Sequence, residues 1–402
     1  MSLTRRLLSF STIPAFSALI PFVILPVLAR AAGADAWVAI AVGQSVGGFL
    51  ALAVGLGLNV SGPTLVALAA ADERAELFAR GTRARLALTL PALVIGSVVA
   101  GALAPPAHAL SAALMAVAIT LGGLTASWYL IGLGTPLPLI GFELVPRAVA
   151  TAIGAVIVVV GGPVWAYPVL LIAAIIGGVA AYALRVVRPR DLVTGWAASG
   201  RFARRQLSAA ATETVSGAYT ALAVSLVTAG ASTSQAATYV SGDKLWRMGQ
   251  TVVGAQGNAL QGWVVEDDRA HFAARARRAL LLHAALGAVG FACFAILGPW
   301  LTGVAFGADV AIDRPTAVLF GVATFCVSMS TATGRHVLIA WGRPRLVFAS
   351  VVAGAIVGIP TTLALAGLHG AAGGATGLAA AEAIVLIMQV GMILVERRKV
   401  RR

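Results

Sequence analysis

Asp243, Lys244 and Arg247 fall within five residues of one another in the stretch YVSGDKLWRMGQ. Their types suit the binding of an anion: Arg is a two-pronged donor to phosphate or carboxylate oxygens and Lys is a point charge. Asp243 and Arg247 stand four residues apart, so on a helix they neutralise each other and leave Lys244 as the surplus positive charge. Read as a helix, Tyr239, Asp243, Arg247, Gln250, Gly254, Asn258 and Gln261 recur at steps of three and four and share one face. The amides of Gln250, Asn258 and Gln261 suit a hydroxyl-rich ligand. Glu213, followed by Ser216, Tyr219 and Thr220, is a candidate partner for Lys244 or Arg247, or a proton site. Gln44 in AVGQSVGG takes the place of Asp243 if Gly43 is set on Gly242.

The surroundings of these residues are apolar. Hydrophobic residues make up 59% of the 402 residues and charged residues 11%, and the mean hydropathy is +0.92. A soluble chain of this length needs far more charge to coat its surface. The composition is that of a polytopic membrane protein. The net charge of +14 does not point to nucleic acid, because the basic residues cluster in short loops between apolar runs, as the positive-inside rule requires.

A helix needs about 20 mostly apolar residues to cross a bilayer. The sequence predicts spans at 7–29, 38–58, 86–104, 109–131, 144–162, 166–187, 207–229, 236–258, 279–301, 315–334, 346–367 and 374–395. The first run, although it begins like a secretory signal, is too long for one and reads as an uncleaved helix. The eighth, which carries the charged trio, is the least apolar, and each charge at a bilayer centre costs roughly 2.5–3.5 kcal/mol. Loop charges decide whether it crosses. With twelve crossings and the N-terminus in the cytoplasm, only Arg30 and Arg314 of the loop cations lie outside. If the eighth segment stays on one side, the cations divide almost evenly. The first arrangement obeys the positive-inside rule. The polar face must then look onto a water-filled cavity or another polar helix.

The loop ADERAELFARGTRARLAL after the second span resembles EDDRAHFAARARRALLL after the eighth. Asp72, Arg74, Arg80 and Arg83 match Asp267, Arg269, Arg275 and Arg278 at one offset. This predicts an all-α membrane protein, built as two parallel six-helix halves, 1–200 and 201–402, around a central cavity. The Arg-rich loops themselves read as topology signals and contacts to anionic lipid. Gly43 and Gly47 form a GxxxG step for close helix approach. Gly43–Gly47 also satisfies GxSxG, but that motif needs a strand-to-helix elbow and here lies inside an apolar span. No phosphate-binding loop and no HExxH occurs. Cys293 and Cys326 lie in apolar runs as packing residues, and the five histidines are scattered without ligand spacing. No enzyme activity, metal or cofactor is expected.

Twelve helices in two parallel halves, small loops and a cationic stripe in the eighth span resemble the polysaccharide (O-antigen type) flippases of the MOP exporter superfamily. The stretch VGLGLNVSGPTLVALAA, with Gly55, Gly57, Gly62 and Pro63, is similar to the Gly-x-Gly and Gly-Pro stretch of those proteins. The resemblance implies a multi-pass protein of the bacterial inner membrane with both termini cytoplasmic. It implies movement of an undecaprenyl-diphosphate-linked oligosaccharide from the cytoplasmic to the outer leaflet by alternating access. Lys244, Arg247, Asp243, Gln250, Asn258, Gln44 and Glu213 would contact that substrate. Its partners would be the lipid-linked oligosaccharide, membrane lipids and polysaccharide-assembly enzymes, with no nucleic acid. An inside-negative potential favours outward movement of an anion by about 2.3 kcal/mol per charge per 100 mV. Three alternatives stand beside this reading: a peptidoglycan-precursor flippase, a cation or drug exporter of the same superfamily, and a membrane polymerase or ligase. The short external loops count against the last.

Overall fold

The computed structural model describes residues 24–135, 137–265 and 269–401. Residues 7–23 of the first expected span, with Arg5, Arg6 and Asp267, lie outside them. Among the described residues the regular structure is helical throughout, as it must be for an open chain in lipid, where each backbone group has to be satisfied within its own segment. Among the described residues eight helices are long and apolar enough to cross a membrane. One of them, Pro344–Arg401, is bent at Gly370 into two helices. Trp196–Gly230 and Thr233–Val265 have the length but are diluted by Ser, Thr, Gly and charged residues. A helix therefore stands at every expected span from the second to the twelfth. Large apolar side chains such as Leu90, Val98, Val160, Val289 and Ile356 point outward, which suits a surface solvated by lipid.

The chain divides into two compact units, one ending at Ser225 and the other beginning at Leu226. In the first, helix Ala34–Gly55 lies against helix Ala109–Leu121. A Cβ on Gly43 would sit 2.4 Å from the carbonyl oxygen of Ala112, and one on Gly47 would sit 2.7 Å from that of Ala116. The GxxxG step is therefore a backbone-to-backbone contact. Leu56 and Gly57 both take left-handed conformations and separate this helix from Leu58–Leu68. Gly57 also lies against the backbone of Ala209 and Ala210. An aromatic cluster of Phe78, Trp128, Tyr129, Tyr182 and Phe142 fills the core below that break.

In the second unit, helix Thr233–Val265 packs on helix Arg314–Thr331 and on the final helices. Gly242 lies under the ring of Phe320, which also meets Tyr239 at 5.4 Å. Arg314–Thr331 continues into a π-helical stretch, Ala332–Ile339. Such wide turns shift the following side chains around the helix axis and occur often at functional sites.

Candidate functional site

The charged trio lies in the middle of the unbroken helix Thr233–Val265. Arg247 Nε donates to Asp243 Oδ2 at 2.7 Å, one helical turn apart. Asp243 is fully buried, whereas the Arg247 side chain remains 39% exposed. The pair thus runs from the interior of the unit toward its surface. Oδ1 of Asp243 is buried without a hydrogen-bond partner, as is Nε2 of Gln250 three residues beyond Arg247. Lys244 is half-buried on the neighbouring flank. Two turns past Gln250, Asn258 is exposed, and its Oδ1 accepts from Arg335 Nη1 at 2.7 Å. The polar face therefore begins in the core at Tyr239 and Asp243 and ends exposed at Asn258 and Gln261.

Arg335 belongs with this face, although in the sequence it counts only as a loop cation. It comes from the π-helical stretch and reaches across to the helix of the stripe, where its guanidinium lies close to Gly257 as well as to Asn258. Three cations, Lys244, Arg247 and Arg335, and three amides, Gln250, Asn258 and Gln261, from two segments are thus arranged along one helix. Lys244 and Arg247 at one end of such a row can hold a phosphate or diphosphate through charge-assisted bonds while the amides beyond them take up hydroxyls.

Gln44 and Glu213 lie in the first unit. Gln44 and Thr151 both hydrogen-bond Tyr167. Ser45 sits in mid-helix and donates to the carbonyl of Ala221 at 2.6 Å, while the Ser225 hydroxyl donates to Ser45 at 2.9 Å. The GxSxG residues are thus a helix-packing surface with the hydroxyl engaged. Glu213 Oε1 accepts from Asn59 at 3.0 Å, and its Oε2 is buried and unpartnered.

Two sequence readings need correction. Arg83 and Arg85 are not loop residues that face lipid headgroups; both are about fully buried, at 1% exposure. They lie within helix Arg74–Leu103. Arg83 donates to Ser199 at 2.8 Å and to the carbonyl of Asp191, and pairs with Glu76 at 3.1 Å. Arg85 donates to the carbonyls of Gly123 and Thr125, at 3.1 and 2.8 Å, and lies over Trp128. These carbonyls border the break between Ala109–Leu121 and Ser127–Leu133. Arg278, matched to Arg83 in the sequence repeat, is exposed. The histidines, in turn, are not all scattered: His283 and His336 meet in the core of the second unit, with their Nε2 atoms 3.4 Å apart.

No family model and no curated protein matches the sequence. Solved structures match the fold along nearly its whole length. Lipid II flippase MurJ in an inward closed conformation superposes with a TM-score of 0.73 at 12% identity, covering 96% of this chain and 87% of that one. An inward-facing multidrug resistance MATE transporter of the MOP superfamily gives 0.63 at 13% identity, over 97% and 94%. A MOP superfamily transporter from Pyrococcus furiosus, described as having a binding pocket of reversed polarity, gives 0.56 at 14% identity, over 98% and 95%. The chain has the fold of MOP superfamily transporters, which comprises two helical halves.

Proposed function

We propose that this protein is a flippase that carries a polyprenyl-diphosphate-linked oligosaccharide across the bacterial inner membrane, from the cytoplasmic to the outer leaflet. The observation that carries the reading is the run of cations along helix Thr233–Val265, Arg247 on its polar face, Lys244 on the flank and Arg335 reaching across to Asn258, in a fold shared with a lipid II flippase. Asp243 offsets one of these charges, so the row keeps a positive balance suited to a diphosphate. Gln250 and Asn258 take sugar hydroxyls. The lipid tail stays in the bilayer while alternating access moves the head group. Both termini are cytoplasmic, and polysaccharide-assembly enzymes are the natural partners.

The likeness to MurJ favours one second reading, in which the head group is a peptidoglycan precursor. Both cargoes present a diphosphate to the same cations, so one assay addresses both. Purified protein in liposomes is given a fluorescent undecaprenyl-diphosphate oligosaccharide or fluorescent lipid II, under an imposed inside-negative potential. Protein-dependent movement of the oligosaccharide, lost in Lys244→Ala with Arg247→Ala, is the expected result. Movement of lipid II alone selects the second reading. Export of cationic dyes with no movement of either lipid sinks both and points to a cation exporter.

A further inference from the structure

His283 and His336 lie apart from the cationic row, buried at 0% and 1% exposure. Their hydrogen bonds fix which nitrogens carry protons. The Ser328 hydroxyl donates to the carbonyl of His283 at 2.7 Å. It has only one proton, so toward His283 Nδ1, at 3.3 Å, it can act only as acceptor. Nδ1 of His283 therefore bears the hydrogen, and Nε2 of His283 is left with a lone pair. Nε2 of His336, 3.4 Å away, must then be the donor. The chain of bonds ends at Nδ1 of His336, an acceptor that is buried and has no partner. A buried acceptor without a donor is uncommon, and on an imidazole it is the nitrogen that an incoming proton would occupy.

From this geometry we infer that the His283–His336 pair is a proton-binding site, with the incoming proton held on Nδ1 of His336. His336 lies in the π-helical stretch one residue after Arg335, which holds Asn258 of the polar face. The charged group that acts on both imidazoles is Arg335, and His283 acts on His336. The elements packed against this stretch also carry Asp243, Lys244 and Arg247 on Thr233–Val265, Arg275, Arg277 and Arg278 on Arg269–Ala292, Cys326 on Arg314–Thr331, and Arg345, Glu382 and Glu396 on Pro344–Arg401. An imidazolium at His336 sets a second positive charge beside the Arg335 guanidinium. Proton occupancy and the Arg335–Asn258 bond are therefore linked, and protonation drives Arg335 away from the pair. The inference goes beyond the identity of the cargo and does not depend on it.

Histidine-labelled protein in nanodiscs tests this by nitrogen NMR. The variant His108→Gln, His271→Gln, His369→Gln leaves only the pair. At neutral pH one imidazole should carry its hydrogen on Nδ1 and the other on Nε2. On acidification from about pH 8 to about pH 4, the second should gain a proton on Nδ1. Ser328→Ala should convert the first signal to a mixture of tautomers. Asn258→Ala should move the titration midpoint by about 0.3 pH unit or more, by freeing Arg335. Two identical tautomers, or no proton uptake in folded protein, overturns the site. An unmoved midpoint in Asn258→Ala overturns the link to the polar face.

Discussion

The two units use the same kind of helix contact to different ends. In the first, Gly43 brings helix Ala34–Gly55 against the backbone of helix Ala109–Leu121. In the second, Gly242 brings helix Thr233–Val265 against Phe320 of helix Arg314–Thr331. The residue after each glycine separates them. Gln44 makes a neutral hydrogen bond to Tyr167, whereas Asp243 forms an ion pair with Arg247. The arginines show the reverse pattern. Arg83 is built into the interior of the first unit, while its sequence match Arg278 stands exposed in the second. The first unit thus spends its charges on holding helices together, and the second keeps its charges along a face that can meet a ligand.

The largest effect should come from breaking the buried charges. Arg83→Met removes one of the two arginine partners of Glu76 and the donor to Ser199 and the Asp191 carbonyl, and should destabilise the protein by about 3–5 kcal/mol. Arg278→Met should change stability by no more than about 0.5 kcal/mol. Thermal unfolding in one detergent compares the two directly. Equal effects would erase the contrast between the units. Asp243→Ala should be costly in the same range, because it strands Arg247 in a partly buried position. Adding Arg247→Met to it should recover much of the loss, since an apolar pair in place of a buried ion pair is often neutral. If the double variant is as unstable as the single, Asp243 holds the fold by some contact other than Arg247.

Next in size is the backbone contact. Gly43→Ala places a methyl group 2.4 Å from the Ala112 carbonyl oxygen, and neither helix can yield without moving others. The expected cost is about 1–3 kcal/mol, read as a lower unfolding temperature with the transport stripe untouched. An unchanged temperature would mean that the two helices separate easily there.

How much of this was legible in the sequence follows from the range of each signal. The helices at the second to twelfth expected spans were legible because an apolar run of bilayer length is a local pattern, and the eighth stands as a helix although its own hydropathy is weak. The Asp243–Arg247 pair was legible because it is four residues apart on one helix. The His283–His336 contact and the Arg335–Asn258 bond were not, since they join residues 53 and 77 positions apart. A lone histidine in an apolar run carries no periodic mark of its partner. Arg83 and Arg85 were misread for a different reason. A cation near the end of a span looks the same in sequence whether it meets lipid phosphate or a helix break. Only the carbonyls of Asp191, Gly123 and Thr125 distinguish the two.

The smallest effect separates packing from chemistry at Ser45. Its hydroxyl donates to the Ala221 carbonyl and accepts from Ser225, so it ties helix Ala34–Gly55 to helix Trp196–Gly230 within the first unit. Ser45→Ala removes both bonds, along with the 3.3 Å bond from the Ser225 backbone N–H, and leaves the Ser225 hydroxyl to turn toward another acceptor, which it can do by rotation. The net loss should be about 1 kcal/mol, with transport of the lipid-linked sugar retained. Ser45→Cys keeps a weak donor and should fall between the two. Loss of transport in Ser45→Ala without loss of stability would contradict a packing role, and would place the functional face on both units instead of one.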